Sequence, residues 1–134
     1  MHRNYTQLYL HCVWGTWDRL PLVSLDIREV VYGAIVNQCK QLKGYAIAIG
    51  GTEDHFHLLT SFPPTLTISE LMNKVKGSSS HLVTHKLKPN EFFKWQGGYG
   101  AFTVSKYNID QVANYIRNQE LHHQQKSLVS EWEI

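Results

Sequence analysis

The run His55-Phe56-His57-Leu58-Leu59-Thr60-Ser61-Phe62, set between Gly50-Gly51 and Pro63-Pro64, limits the fold of this chain more than any other segment. It reads as a buried strand that follows a glycine turn and is stopped by prolines. Side chains on a strand alternate between faces, so His55 and His57 point the same way and Phe56 points into apolar packing on the other side. Two imidazoles held side by side on a stiff backbone are how a chain presents two nitrogen ligands to one metal ion. Taken alone, the spacing is equally compatible with a packed or solvated pair.

The rest of the chain supplies the elements around that strand. Tyr5 to Trp14 alternates and is rich in aromatic and β-branched residues, which predicts a strand. Asp18-Arg19-Leu20-Pro21 breaks it. Ile27, Val30, Val31, Ala34, Ile35 and Cys39 recur at helical spacing within Leu25 to Leu42, and Lys43-Gly44 ends that helix. Tyr45 to Ile49 reads as a short strand turned by Gly50-Gly51. Thr67, with Glu70 three residues on, is a capping-box start for a helix carrying Ile68, Leu71, Met72 and Val75 towards Leu87. Phe92 to Trp95 and Ala101 to Val104 read as short strands around Gly97-Gly98. Asn108 or Asp110 caps a last helix to about His123. The order β-α-β-β-α-β predicts an α+β fold: a ferredoxin-like (RRM-like) antiparallel sheet with helices on one face, plus a C-terminal helix. In that topology the first strand and the histidine strand are central. With no linker or repeat, residues 1–134 are read as a single domain.

Composition narrows the function. The charged fraction is 18% and the net charge only +2, so any nucleic-acid surface is a local patch. Eight histidines invite a search for metal or acid–base chemistry. Cys12 and Cys39 lack metal-type spacing and fit a reduced setting better than a disulfide framework. Met1-His2-Arg3-Asn4 is followed by no apolar signal region, and no apolar run is long enough to span a bilayer. A cytoplasmic protein without membrane contact is expected.

The last helix holds a second signal. Its apolar stripe through Val112, Tyr115 and Ile116 continues to Gln119 and His122-His123, so Tyr115 and Gln119 share the face that meets the protein body. A buried glutamine amide needs a partner. A metal ion or a phosphate supplies one. A tyrosine packed at the helix–sheet border, with Gln119 bonded to backbone, is the plainer alternative.

His55-Phe56-His57 followed by Tyr115-x-x-x-Gln119 on a late helix resembles the single-tyrosine HUH transposases of bacterial insertion sequences (the TnpA type) and the related REP-associated tyrosine transposases. Val13 to Leu22 is similar to the family's first strand and turn, and Asp54 to Leu59 to its HUH strand. Leu71 to Ser80 resembles its lysine–serine helix segment; Gly98 to Ser105 and Tyr115 to His123 resemble its tail. The C-terminus, which stops soon after Glu131-Trp132, is a departure.

The resemblance implies an enzyme that cuts and rejoins single-stranded DNA at hairpin-bearing transposon ends. Tyr115 is then the nucleophile that forms a 5′-phosphotyrosine bond and releases a 3′-hydroxyl. His55, His57 and Gln119 hold a divalent metal. Two imidazoles suit zinc, iron, nickel or copper at least as well, and the resemblance favours Mg²⁺ or Mn²⁺. Glu53 is the alternative third ligand, while Asp54 is expected to point away. Lys74, Lys76 and Arg117 are the first candidates for DNA phosphates, with Lys86, Lys88, Lys94 and Lys106 behind them. Trp14, Trp17, Trp95, Tyr99 and Tyr107 are candidates for base stacking. A homodimer is implied, with no small-molecule cofactor. Three other readings stand beside this one: a domesticated relative that processes chromosomal palindromes, a non-catalytic single-strand nucleic-acid binding module, and a metal hydrolase using Glu53. The binding module lacks the RNP-type aromatic signature of RNA binders.

Overall fold

The computed structural model describes residues 4–119 and 128–133. It contains β1 (Tyr9–Gly15), α1 (Leu25–Gln41), β2 (Tyr45–Gly51), β3 (His55–Ser61), α2 (Ile68–Leu82), β4 (Gly100–Thr103) and α3 (Ile109–Arg117). The four strands form one antiparallel sheet in the order β2-β3-β1-β4. The first strand and the histidine strand are therefore the central pair, in the expected α+β arrangement. Their register sets Gly15 opposite His55, Val13 opposite His57 and His11 opposite Leu59.

Alternation divides the central strands between two environments. Leu10, Cys12 and Trp14 of β1 and Phe56 and Leu58 of β3 enter the main core. There they meet Ile27, Val31, Ile35 and Cys39 of α1 and Leu71, Met72 and Val75 of α2. Val30, expected in the apolar stripe of α1, is instead half exposed. Thr67 caps α2 as expected, accepting the Glu70 N–H at 3.1 Å. Its hydroxyl donates to the Glu70 carboxylate at 3.0 Å. The helical path then continues through a π-helical turn at Val83–Leu87. α3 lies on the opposite face, where Val112, Ala113 and Ile116 pack with Ala48 and Leu59 in a smaller cluster.

Four local expectations are corrected. β1 starts at Tyr9, because Pro63-Pro64 ends its partner β3 and Tyr9 already pairs with Ser61. Gly50 and Gly51 belong to β2, and residues 52–54 make the turn into β3. Gly50 is needed for close packing, since a Cβ there would run into the Ile116 carbonyl oxygen of α3. Phe92 to Trp95 is not a strand; it makes a single bridge between Trp95 and Thr16. Burial of Phe93 and Trp95 fixes it, with Trp95 Nε1 donating to Ser79 Oγ at 3.0 Å. Consequently Gly97-Gly98 closes no hairpin, and β4 pairs with β1 alone.

Candidate active site

The α3 face of the central strands carries His55, His57 and, from β1, His11. All three are almost fully buried. Helix α3 lays Tyr115 over them, its ring centroid 5.9 Å from that of His57. One turn further on, Gln119 is also buried, with Oε1 3.1 Å from His55 Nε2. The structure thus brings His55, His57, Tyr115 and Gln119 into one cluster. The sheet fixes the imidazoles and α3 fixes Tyr115, while Gln119, just past the end of α3, is tied back to it by donating to Tyr115 O at 3.3 Å.

Each imidazole is held from behind. His55 Nδ1 lies 2.9 Å from Asp54 Oδ1 and 2.9 Å from Thr52 Oγ1. A proton on Nδ1 is therefore bonded to the carboxylate, and Nε2 faces the cluster. Asp54, expected to point away, is in fact the partner of His55, because it lies in the turn and not on the strand. The Arg19 guanidinium stands 3.9 Å from the same Asp54 oxygen. Burial alone would push the Asp54 carboxyl up, but His55 and Arg19 hold it below the usual carboxylate range. His57 Nδ1 lies 2.9 Å from His11 Nε2. Burial, then the neighbouring His57, pushes His11 down to about 3, so it stays neutral.

The front of the cluster is closed by a residue the sequence did not announce. Glu133 Oε1 lies 3.1 Å from His57 Nε2 and 3.4 Å from His55 Nε2. Its Oε2 accepts the Tyr115 hydroxyl, which itself accepts the Val129 N–H at 3.0 Å. Burial raises the Glu133 carboxyl, yet the two histidines hold it well below the normal range. Burial and the adjoining carboxylate push Tyr115 up to about 12. Burial would lower His55, but hydrogen bonds with Glu133, Asp54 and Gln119 raise it above its ordinary value.

These donors fit a divalent cation. Ligating atoms of His55, His57 and Glu133 all lie within 4.8 Å of one another, and the Gln119 amide oxygen adjoins them. Imidazole and oxygen electron pairs facing one another need a proton or a metal ion between them. Glu53, the alternative ligand, is exposed in the 52–54 turn and takes no part in this group.

The DNA-contact candidates separate. Arg117 lies at the end of α3, its Nη2 donating to Ile47 O at 3.1 Å. It borders a cleft beside Gln119. Lys74 and Lys76 are on α2, across the sheet from the histidines. The Lys76 ammonium donates to Gln96 O and Gly98 O at 2.7 and 2.8 Å, tying down the 96–98 loop. Lys88 pairs with Asp26 at 2.7 Å, and Lys94 sits over the Trp17 ring. Trp14 and Trp95 are core residues, while Trp17, Tyr99 and Tyr107 are exposed. His122 and His123 lie outside the described residues.

Residues 4–119 match the family described as "Transposase IS200 like". This chain belongs to the IS200-like transposase family. It is 34% identical over 73 residues to the transposases for insertion sequence element IS200 of Salmonella typhimurium and Salmonella typhi. Those matches cover 49% of this chain and 46% of each relative, so the chain spans about half the length of the curated relatives it matches. The fold is shared with a candidate transposase from Deinococcus radiodurans (TM-score 0.68, 23% identity, 89% of this chain and 96% of that one). It is also shared with a REP-associated tyrosine transposase bound to a REP hairpin (TM-score 0.67, 14% identity, 92% and 73%). No described helix is long and apolar enough to cross a membrane.

Of the residues that build the site, His11, Thr52 and Glu133 escaped the sequence reading, and Asp54 was placed on the wrong side. A signal existed for His11, which shares a strand face with Val13 opposite His57 once β1 and β3 are aligned. For Glu133 there was none.

Proposed function

We propose that this IS200-like family member is a single-strand DNA transposase that works through a covalent tyrosine intermediate. One observation carries the reading: the Tyr115 hydroxyl and both HUH imidazoles meet on a single carboxylate, Glu133. That carboxylate spans the positions that two oxygens of a phosphate would take between a nucleophile and an ion site. An entering phosphodiester competes with it for the same partners and displaces it. The Tyr115 oxygen then attacks phosphorus in line. The Tyr115 O–P bond forms, the P–O3′ bond breaks, and the electron pair stays on the 3′-oxygen. That oxygen takes a proton from solvent, and the phenolic proton is lost to solvent. The new phosphoester keeps the energy of the old one, so attack by another 3′-hydroxyl reverses the step without ATP. His55, His57 and Gln119 would hold the Mg²⁺ or Mn²⁺. When bound, the ion supplies charge neutralisation and orientation of the phosphate oxygens. Asp54 and His11 position the two imidazoles throughout. A tyrosine held near 12 is a poor nucleophile, so release of the Glu133 carboxylate and alignment by the site both lower the barrier.

The substrate is hairpin-bearing single-stranded DNA and the working unit a homodimer, for which β4 offers a sheet edge. The test is incubation of labelled hairpin-bearing single strands with the protein and Mg²⁺ or Mn²⁺. The expected result is a covalent protein–DNA adduct that Tyr115→Phe abolishes. Binding without an adduct favours the non-catalytic module and overturns this reading.

A further inference from the structure

Beside the cluster, on the Gln119 side, opens a cleft of about 690 Å³. It is walled by Arg28 and Tyr32 of α1, Gly50 and Gly51 of β2, and Arg117 and Gln119. Volumes of about 300–1,000 Å³ are typical of pockets for small organic ligands, the size class of a nucleotide. Its chemistry also suits one. Arg28 is buried, its Nη2 anchored at 3.0 Å on Val23 O, so one guanidinium is fixed in the wall. Arg117, exposed and tied to Ile47 O, supplies a second cation at the rim. Tyr32, packed on Phe56 with centroids 4.9 Å apart, offers an aromatic surface. Two guanidiniums and an aromatic ring bind phosphate and base together.

The cleft has a defined place relative to the nucleophile. The Tyr115 hydroxyl is on the Trp132 side of the cluster, the two rings 5.0 Å apart. From there a chain of contacts leads through the Glu133 carboxylate to His55 and then to Gln119, which lines the cleft, so the ion site separates the hydroxyl from the cleft. In-line displacement sets the leaving oxygen opposite the attacking one. Resting on the proposed transposase reading, we infer that this cleft binds the nucleotide immediately 5′ of the scissile phosphate, the one that departs with the 3′-hydroxyl. Its base lies against Tyr32 and its 5′-phosphate meets Arg28 and Arg117. The nucleotide on the 3′ side, which stays on Tyr115, leaves by the Trp132 side.

Photo-cross-linking tests the assignment without requiring turnover. The full chain carrying Tyr115→Phe is mixed with Mn²⁺ and hairpin-bearing strands in which a single 4-thiothymidine is moved stepwise along the single-stranded arm. Cross-linked peptides are then mapped. The cleavage phosphate is located separately with the unmodified protein. A probe one nucleotide 5′ of that phosphate is expected to label Arg28–Tyr32 or Arg117–Gln119. Arg117→Ala and Tyr32→Leu are each expected to weaken that labelling at least fivefold, with other positions unaffected. Labelling of residues 101–105 or Trp132 by the 5′ probe, or no cleft labelling by any probe, overturns the inference. If the unmodified protein forms no adduct on any strand, the transposase reading fails by itself. Any probe labelling the cleft then still marks it as a nucleotide site, and its absence still refutes that.

Discussion

The two faces of the central strands are built from the same seven-residue segments and behave as different materials. On the α1/α2 face, Leu10, Cys12, Trp14, Phe56 and Leu58 make a dry core. On the α3 face, the intervening positions put His11, His55 and His57 beside Val13 and Leu59; the histidines are equally buried but polar, each imidazole fixed by a hydrogen bond. Burying apolar surface stabilises in proportion to area, whereas buried polar groups at best offset their own desolvation. One face therefore holds the fold, and the other holds the chemistry on the rigidity which the first supplies. A strand alternates with period two, so a single segment serves both ends.

The largest expected effects set one face against the other. Phe56→Ala empties a site between Trp14, Tyr32 and Trp95 and is expected to cost about 3–5 kcal/mol in denaturant unfolding. Tyr115→Phe keeps the ring and loses one hydroxyl, so its stability change stays near about 1 kcal/mol, while covalent adduct formation vanishes. Equal stability losses from the two would remove the division of labour argued above.

The next effect lies where the α3 face is sealed. Gly50→Ala puts a methyl against the Ile116 carbonyl and forces α3 off β2. Overpacking of this kind costs about 1–3 kcal/mol. Because Tyr115 and Gln119 ride on the same helix and its continuation, adduct formation is expected to fall more than stability does. Gly33→Ala, on the exposed side of α1 with nothing near its Cβ position, serves as the control: it leaves adduct formation unchanged and raises stability by about 0.5–1 kcal/mol through helix propensity.

These contrasts show what a sequence can and cannot disclose. The period-two run at His55–Phe62 and the capping box at Thr67 express local rules, and so do the paired helical positions of Tyr115 and Gln119. The strand order followed from them. Phe92 to Trp95 misled because aromatic residues suit a strand and a plugged core alike, and only the long-range burial of Phe93 and Trp95 decides between them. Gly50-Gly51 read as a turn because a glycine demanded by a helix crossing above looks the same as one demanded by backbone angles. Asp54 was assigned to the wrong side because the strand begins one residue later than straight extrapolation assumed. Glu133 had no local signature, since its role depends on where residues far from it in the chain have folded.

A smaller effect concerns protons and metal on the α3 face. His55 is raised by Glu133, Asp54 and Gln119 against the pull of burial. Its imidazolium must lose a proton before Nε2 can ligate an ion. Mn²⁺ affinity, measured by calorimetry, is therefore expected to climb with pH by roughly tenfold per unit for each proton released while the group is still protonated, and to level off once the raised His55 value is passed. The same hydrogen bonds stabilise the metal-free fold below the unfolded histidine value of about 6.5, and that contribution is lost as pH passes the raised one. Metal-free stability should thus decline over the range in which metal affinity grows. A flat affinity would remove His55 from the ligand set.

The finest comparison is within the site, between a carboxylate and its neutral isostere. Glu133→Gln keeps a hydrogen-bonding group at the Tyr115 hydroxyl and removes the negative charge facing both imidazoles. Without that charge, Tyr115 should fall from about 12 towards the ordinary phenol value of about 10, followed by phenolate absorbance against Tyr115→Phe as the blank. An incoming phosphodiester then displaces a neutral amide instead of an anion hydrogen-bonded to His57, so adduct formation should accelerate severalfold at saturating Mn²⁺. Were Glu133 required as an ion ligand during the reaction, the same change would slow the step and weaken Mn²⁺ binding together. Since the two roles predict opposite signs from one substitution, the direction of the rate change alone decides whether the tail carboxylate occupies the phosphate position or serves the ion.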